Sequence, residues 1–224
     1  MGRPQKRTNE ARRGESQEKI LDAAETVFAT GGFNGVSLKD IANAAGVDTS
    51  LVHYYFATKA GMFAAVLARR ADEVNAARLA SMRAYEAKAG DAVTVEGALR
   101  AYLEPAFRFA YVECAAGRDK RDYLTLIAQI NSTPAGAILG SDVTPFDPAV
   151  QVFIDLLRKA SPSSPDADLY WFYHMLSGAI SHTWARTGRI DQLSKGLCRS
   201  EDFETIAEQM IAIFANGLAK PRRD

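Results

Sequence analysis

The chain has 224 residues, 47% hydrophobic, 24% charged and 9% aromatic, enough for one or two domains with a buried core and unlike a disordered, collagen-like or disulfide-dense chain. Lys plus Arg and Asp plus Glu number 27 each, so the formal net charge is zero and the total predicts no long-range attraction to a polyanion. Cys114 and Cys198 make no disulfide scaffold. With no cleavable leader and no apolar run near the roughly 18 residues of a membrane helix, the expectation is a cytoplasmic protein without a membrane partner.

The charge is unevenly placed. Residues 1–13 hold Arg3, Lys6, Arg7, Arg12 and Arg13 against Glu10. With Gly2, Pro4 and Gly14 and no apolar period, residues 1–15 are expected to form a flexible basic arm. Such an arm is either a solvated terminus or a strand along DNA, with Arg3 or Arg7 in the minor groove. Over residues 1–60 the eight basic side chains meet seven acidic ones. Glu18, Asp22 and Glu25 fall on the first helix, where they can face away from a bound polyanion.

Ser16 can cap a helix whose Ile20, Ala23, Ala24, Val27 and Phe28 form one stripe, ended by Thr30-Gly31-Gly32 with Phe33 folding back. Ser37-Leu38-Lys39-Asp40 is a capping-box signal for a short second helix carrying Ile41, Ala42, Ala44 and Ala45. Gly46 breaks it. Asp48, Thr49 or Ser50 can cap a third helix through Phe56, and Thr58 opens a fourth, whose Met62, Phe63, Val66, Leu67 and Val74 carry it to the Gly90 region. The rest also reads as helical. Leu99 to Ala110 form a stripe that includes Pro105, Asp147-Pro148 starts another, and residues 166–187 and 201–219 are apolar on more than one face. A helix apolar on several sides is buried by its own domain and by a partner.

Residues 38–56 have helix-turn-helix spacing, with Ile41, Val47 and Val52 as a small core and Gly46 in the turn. Thr49, Ser50 and His53, at offsets of one and four, share the outward N-terminal face of the second helix. In such motifs that face meets base edges, while hydroxyls, amides and lysines hold phosphates.

At Ile20-Leu21-Asp22-Ala23-Ala24, Phe28, Gly31-Gly32-Phe33, Ser37 to Ala42, Ala45-Gly46-Val47 and Tyr54 to Lys59, the chain resembles the TetR family of bacterial transcription regulators. The likeness covers roughly residues 16–67. His53 stands where the family usually has tyrosine, and Ala60 and Gly61 replace a frequent glutamate and leucine. The resemblance implies an all-α homodimer with a three-helix DNA-binding domain at 16–60 and a larger ligand-binding and dimerisation domain at 61–224. It implies that Ser37 meets a phosphate, that Thr49, Ser50 and His53 face the groove, and that Tyr55 and Lys59 clamp the backbone. Tyr55 has the alternative of packing on the fourth helix, and Lys59 that of a solvated charge. The last two long helices would form a four-helix interface, with Leu169, Phe172, Tyr173, Leu176, Ile180, Phe203, Met210 and Phe214 as its residues.

The implied function is a repressor that binds a palindromic operator in double-stranded DNA and is released by a small-molecule effector of unknown identity. Effector binding would move the fourth helix and spoil the reading-head spacing of about 34–36 Å. Candidate lining residues are Phe107, Tyr111, Tyr123, Ile127, Asn131, Met175 and His182, each of which could equally be core. His174 and His182 lie about 12 Å apart by helical rise, too far to chelate one ion, so no metal or other cofactor is expected. No phosphate loop, helical HExxH pair or nucleophile-histidine-acid set occurs, which argues against the alternative of a small helical enzyme. An activator, or a regulator acting through a protein partner, shares the same fold.

Overall fold

A computed structural model of the chain describes residues 9–115, 121–132 and 145–218. All the regular structure among these residues is helical: α1 Asn9–Gly35, α2 Leu38–Ala45, α3 Thr49–Phe56, α4 Lys59–Ala89, α5 Val95–Ala115, α6 Arg121–Asn131, α7 Asp147–Ala160, α8 Asp166–Trp184, α9 Arg189–Leu193 and α10 Phe203–Gly217. The all-α expectation holds. No single helix among the described residues is long and apolar enough to cross a membrane.

α1 begins inside the stretch expected to be a flexible arm up to residue 15. Glu10, Ala11, Arg12 and Arg13 are adequate helix formers, and one glycine at position 14 costs only about 1 kcal/mol. Tertiary contact offsets that. The Tyr55 hydroxyl donates to the Arg13 carbonyl at 3.3 Å, and the Arg13 guanidinium bonds the Tyr54 hydroxyl and lies 5.1 Å from its ring centroid. Gly31-Gly32, expected to end the helix, kinks it instead: the path breaks at Gly32 (φ 69°), α1 runs on to Gly35, and Phe33 turns back to Phe28 and Phe63 at centroid distances of 6.2 and 5.2 Å.

α1, α2 and α3 form the head, with Ile20, Ala24, Phe28, Ile41, Val52 and Phe56 buried together. α4 leaves the head and becomes the axis of the larger body, packing on α5, α6 and α7, while α10 covers α5 and α8 covers α6 and α7. Leu99, Leu103, Phe153, Leu157, Leu169 and Leu176 are fully or almost fully buried there, and Tyr102 stacks on Phe153 at 4.3 Å. Head and body also meet through α6, whose Gln129 amide donates to the Ala29 carbonyl at 3.2 Å.

Candidate nucleic-acid interface and effector cavity

The second and third helices are set by local chemistry. Ser37 caps α2: its hydroxyl accepts from the Asp40 N–H at 3.2 Å, and the Asp40 carboxylate accepts the Ser37 N–H at 2.8 Å. The Ser37 hydroxyl, which donates to the same carboxylate, and the Ser37 N–H together hold Asp40 below the usual carboxylate range. Gly46 closes α2 in the left-handed region (φ 62°), where the following Val47 N–H returns to the Ala42 carbonyl at 3.0 Å. Asp48 then caps α3 by accepting the Ser50 N–H at 2.8 Å, which lowers its pKa as well. Of the three residues the sequence offered as this cap, the aspartate is the one used.

This geometry leaves Ser50 and His53 exposed on α3 and Thr49 half-buried. Tyr54 joins them. It is 64% exposed and sits against Arg13, so the outward face is broader than the three residues expected from spacing. Ser37 is exposed as well. Arg3 and Arg7 lie outside the described residues.

Two expected backbone clamps have internal partners. Tyr55 is half-buried against the head core, and its hydroxyl holds the Arg13 carbonyl. The Lys59 ammonium donates to the Val36 carbonyl at 3.0 Å and lies 4.7 Å from the Phe33 centroid, which ties the start of α4 to the end of α1. Neither side chain is a free surface group. Beside Lys59, Gly61 has a steric reason: a Cβ there would stand 2.8 Å from the Phe56 carbonyl oxygen, while its N–H donates to the Thr58 cap at 3.0 Å.

In the body a cavity of about 50 Å³ opens between α4, α5, α6 and α8. Tyr123, Ile127 and Asn131 line it as expected, and Arg78, Tyr102 and Trp184, which the sequence reading did not select, complete it with Tyr173 and Ile180. Burial pushes the Tyr123 and Tyr173 phenols well above their ordinary range, so both keep their protons; Tyr123 donates to the Leu67 carbonyl at 3.3 Å. Asn131 donates to Ser181 at 2.9 Å, joining α6 to α8 beside the cavity.

The other expected lining residues lie elsewhere. Phe107 is buried away from the cavity between Trp184 and Phe203, because the α5 stripe is wide enough to serve two neighbours. Met175 and His182 are exposed on the opposite side of α8. The side chain of Tyr111 is outside the described residues.

The expected dimer residues also change place. Leu169, Phe172, Leu176, Ile180, Phe203 and Met210 are buried within the subunit itself, and Tyr173 and Phe214 are half-buried. Two apolar stripes run along α8, and its own core claims this one. The other stripe is open: Trp171 and Met175, about 60% exposed, with Tyr170 on α8 and Ile213 on α10.

Comparison with known proteins matches both parts. A family model described as bacterial regulatory proteins of the tetR family covers residues 20–66, and one described as a tetracyclin repressor-like C-terminal domain covers residues 100–217. The HTH-type transcriptional regulator RutR of Escherichia coli K12 is 29% identical over 163 residues, spanning 66% of this chain and 75% of that protein. Among solved structures, a TetR-like transcriptional regulator from Rhodococcus sp. RHA1 aligns with TM-score 0.62 at 19% identity, covering 92% of this chain and 97% of that one. The fatty acid degradation regulator FadR of Bacillus halodurans aligns with TM-score 0.61 at 14% identity over 97% and 100%.

Proposed function

The chain belongs to the TetR family and is a DNA-binding transcriptional regulator; from that premise we propose that it is a repressor, a homodimer that grips a palindromic operator and lets go when a small molecule occupies the cavity beside Arg78. One observation carries this reading. A single helix, α4, begins at the head with Lys59 tied to Val36 and Phe33, and further on supplies Val74 and Arg78 to the cavity wall. A ligand that favours one placement of α4 therefore biases the placement of the head, which is a population shift between gripping and released states.

In the gripping state Thr49, Ser50 and His53 face base edges, and Ser37, Tyr54 and Arg13 serve the phosphates. Arg3 and Arg7 follow the minor groove. Lys59 reaches the backbone from the position its Val36 bond gives it. The open apolar stripe of Trp171, Met175 and Ile213 pairs two subunits, setting the heads one helical turn of DNA apart. The protein acts in the cytoplasm and performs no catalysis.

Selection of bound fragments from genomic DNA tests the reading. A palindrome with half-sites one turn apart is expected, and no enrichment at moderate salt would overturn it. Substituting Trp171→Asp is expected to give monomers in ultracentrifugation and to abolish operator binding.

A further inference from the structure

Arg78 is 4% exposed and lines the cavity. Its Nε donates to the Tyr102 carbonyl at 3.2 Å, and the guanidinium lies 4.3 Å from the Tyr102 ring centroid. A guanidinium has five N–H donors and stays charged at any physiological pH, so this one has a π face and one acceptor while its Nη groups have no bonding partner among the described residues. No carboxylate among the described residues forms an ion pair with it. The nearby buried acid, Glu25, is taken by Arg69 at 2.6 Å and Arg70 at 3.6 Å. A charge held out of water without a counter-ion disfavours the fold, so such a group at a cavity wall marks a binding site better than a packing device.

Around Arg78 the wall divides by chemistry. Tyr102, Tyr173, Ser177 and Asn131 offer polar points, while Ile127 and Ile180 offer an apolar floor. Trp184, also in the wall, is 4% exposed and its indole N–H is buried without an acceptor. The Arg78 guanidinium thus stands at a small space walled by aromatic and apolar side chains, and an acceptor-rich anion satisfies its donors. Water can solvate these donors but cannot neutralise the charge; a carboxylate does both, and its two oxygens match the guanidinium fork. The volume sets the size. A water needs roughly 10–15 Å³ of such space, so about 50 Å³ holds a carboxylate and a short chain as it stands, and a larger body must move α4 or α8.

We propose that the cavity takes a small organic carboxylate, its acid group paired with Arg78 and its apolar part against Ile127, Ile180 and Trp184. This rests on the effector reading above and names the class of the effector. The pairing also couples binding to α4, because Arg78 is on that helix.

The test is thermal shift and calorimetry on the full chain with monocarboxylates from acetate to benzoate and phenylacetate, each beside its own carboxamide. Acids are expected to raise Tm and to bind about tenfold or more tighter than their amides. With Arg78→Met the acid response is expected to vanish, and the ligand-free protein to melt a few degrees higher because a lone buried charge is gone. Acids and amides binding alike, or no acid binding, would overturn the proposal. So would an R78M protein that keeps the acid response, or one that melts lower than wild type, since the guanidinium would then be held for the fold.

Operator release separates the two readings. Acids that bind through Arg78 but leave an operator complex intact overturn the effector assignment and keep the anion site. Release by neutral compounds alone keeps the effector assignment and overturns the anion site.

Discussion

Two stretches of α4 bury arginine and treat it in opposite ways. Near the head, Arg69 bonds Glu18 at 3.2 Å, Asp22 at 2.7 Å and Glu25 at 2.6 Å, three carboxylates of α1 spaced along one face of that helix. Two turns on, Arg78 is more deeply buried and has no acidic partner among the described residues. The first stretch is a joint, with charge matched by charge so that head and body keep one geometry. The second is a guanidinium at a cavity wall, the group proposed above to meet a ligand's acid. Sharing one helix, they would make ligand occupancy of the body, as proposed, and the position of the head parts of a single equilibrium.

The comparison predicts opposite signs for charge removal. Glu25→Ala leaves Arg69 and Arg70 short of their only buried acid and should cost about 3 kcal/mol in urea unfolding. Arg78→Met should instead add about 1–2 kcal/mol by removing an unpaired buried charge and leaving apolar volume in its place. Two losses of similar size would erase the distinction, and Arg78 would become a structural group like Arg69.

A smaller effect is expected at the other tie between head and body. Lys59→Ala removes a hydrogen bond to Val36 and the contact with the Phe33 ring, together about 1–2 kcal/mol. It should also weaken binding to every DNA sequence and make the salt dependence shallower. Ser50→Ala and His53→Ala, both exposed, should change base preference with stability within about 0.5 kcal/mol. A Lys59→Ala protein of unchanged stability would show that its bond to Val36 carries no load.

What the sequence made legible follows the range of the forces involved. The head could be read because its signals are local: Ser37 and Asp40, Gly46, Asp48 and Thr58 each act within a few residues of their partners. Even the departure at Gly61 has a local cause, the Phe56 carbonyl that leaves no room for a side chain. The body could not be read in the same way. Periodicity shows that α8 has apolar faces on two sides, but only the packed fold shows that Leu169, Leu176 and Ile180 turn inward while Trp171 and Met175 turn out. The early start of α1 depends on tyrosines some forty residues away. Arg78 left a signal that could have been found: it falls four residues after Val74 and four before Met82, a charge in the middle of a buried stripe.

The smallest expected effect concerns pH and again divides head from body. Asp40 and Asp48 accept hydrogen bonds only in the folded head, so their folded pKa values lie below those of the unfolded chain. A depressed carboxylate stabilises fully above its unfolded pKa, and that contribution is lost as pH falls through the folded value. The α2 and α3 caps should therefore persist through the neutral and mildly acidic range and fail only once the pH has fallen below the ordinary carboxylate range. Amide exchange at Leu38–Phe56 should then quicken before exchange at the Leu99, Phe153 and Leu157 core, which is held by buried apolar side chains, with the Arg100–Glu208 pair between α5 and α10 only partly shielded at its edge. Asp40→Asn should remove part of the difference, since an amide can still accept the Ser37 N–H but carries no charge and does not titrate. If the head and the body core opened together on acidification, the capping acids would not be what limits the head.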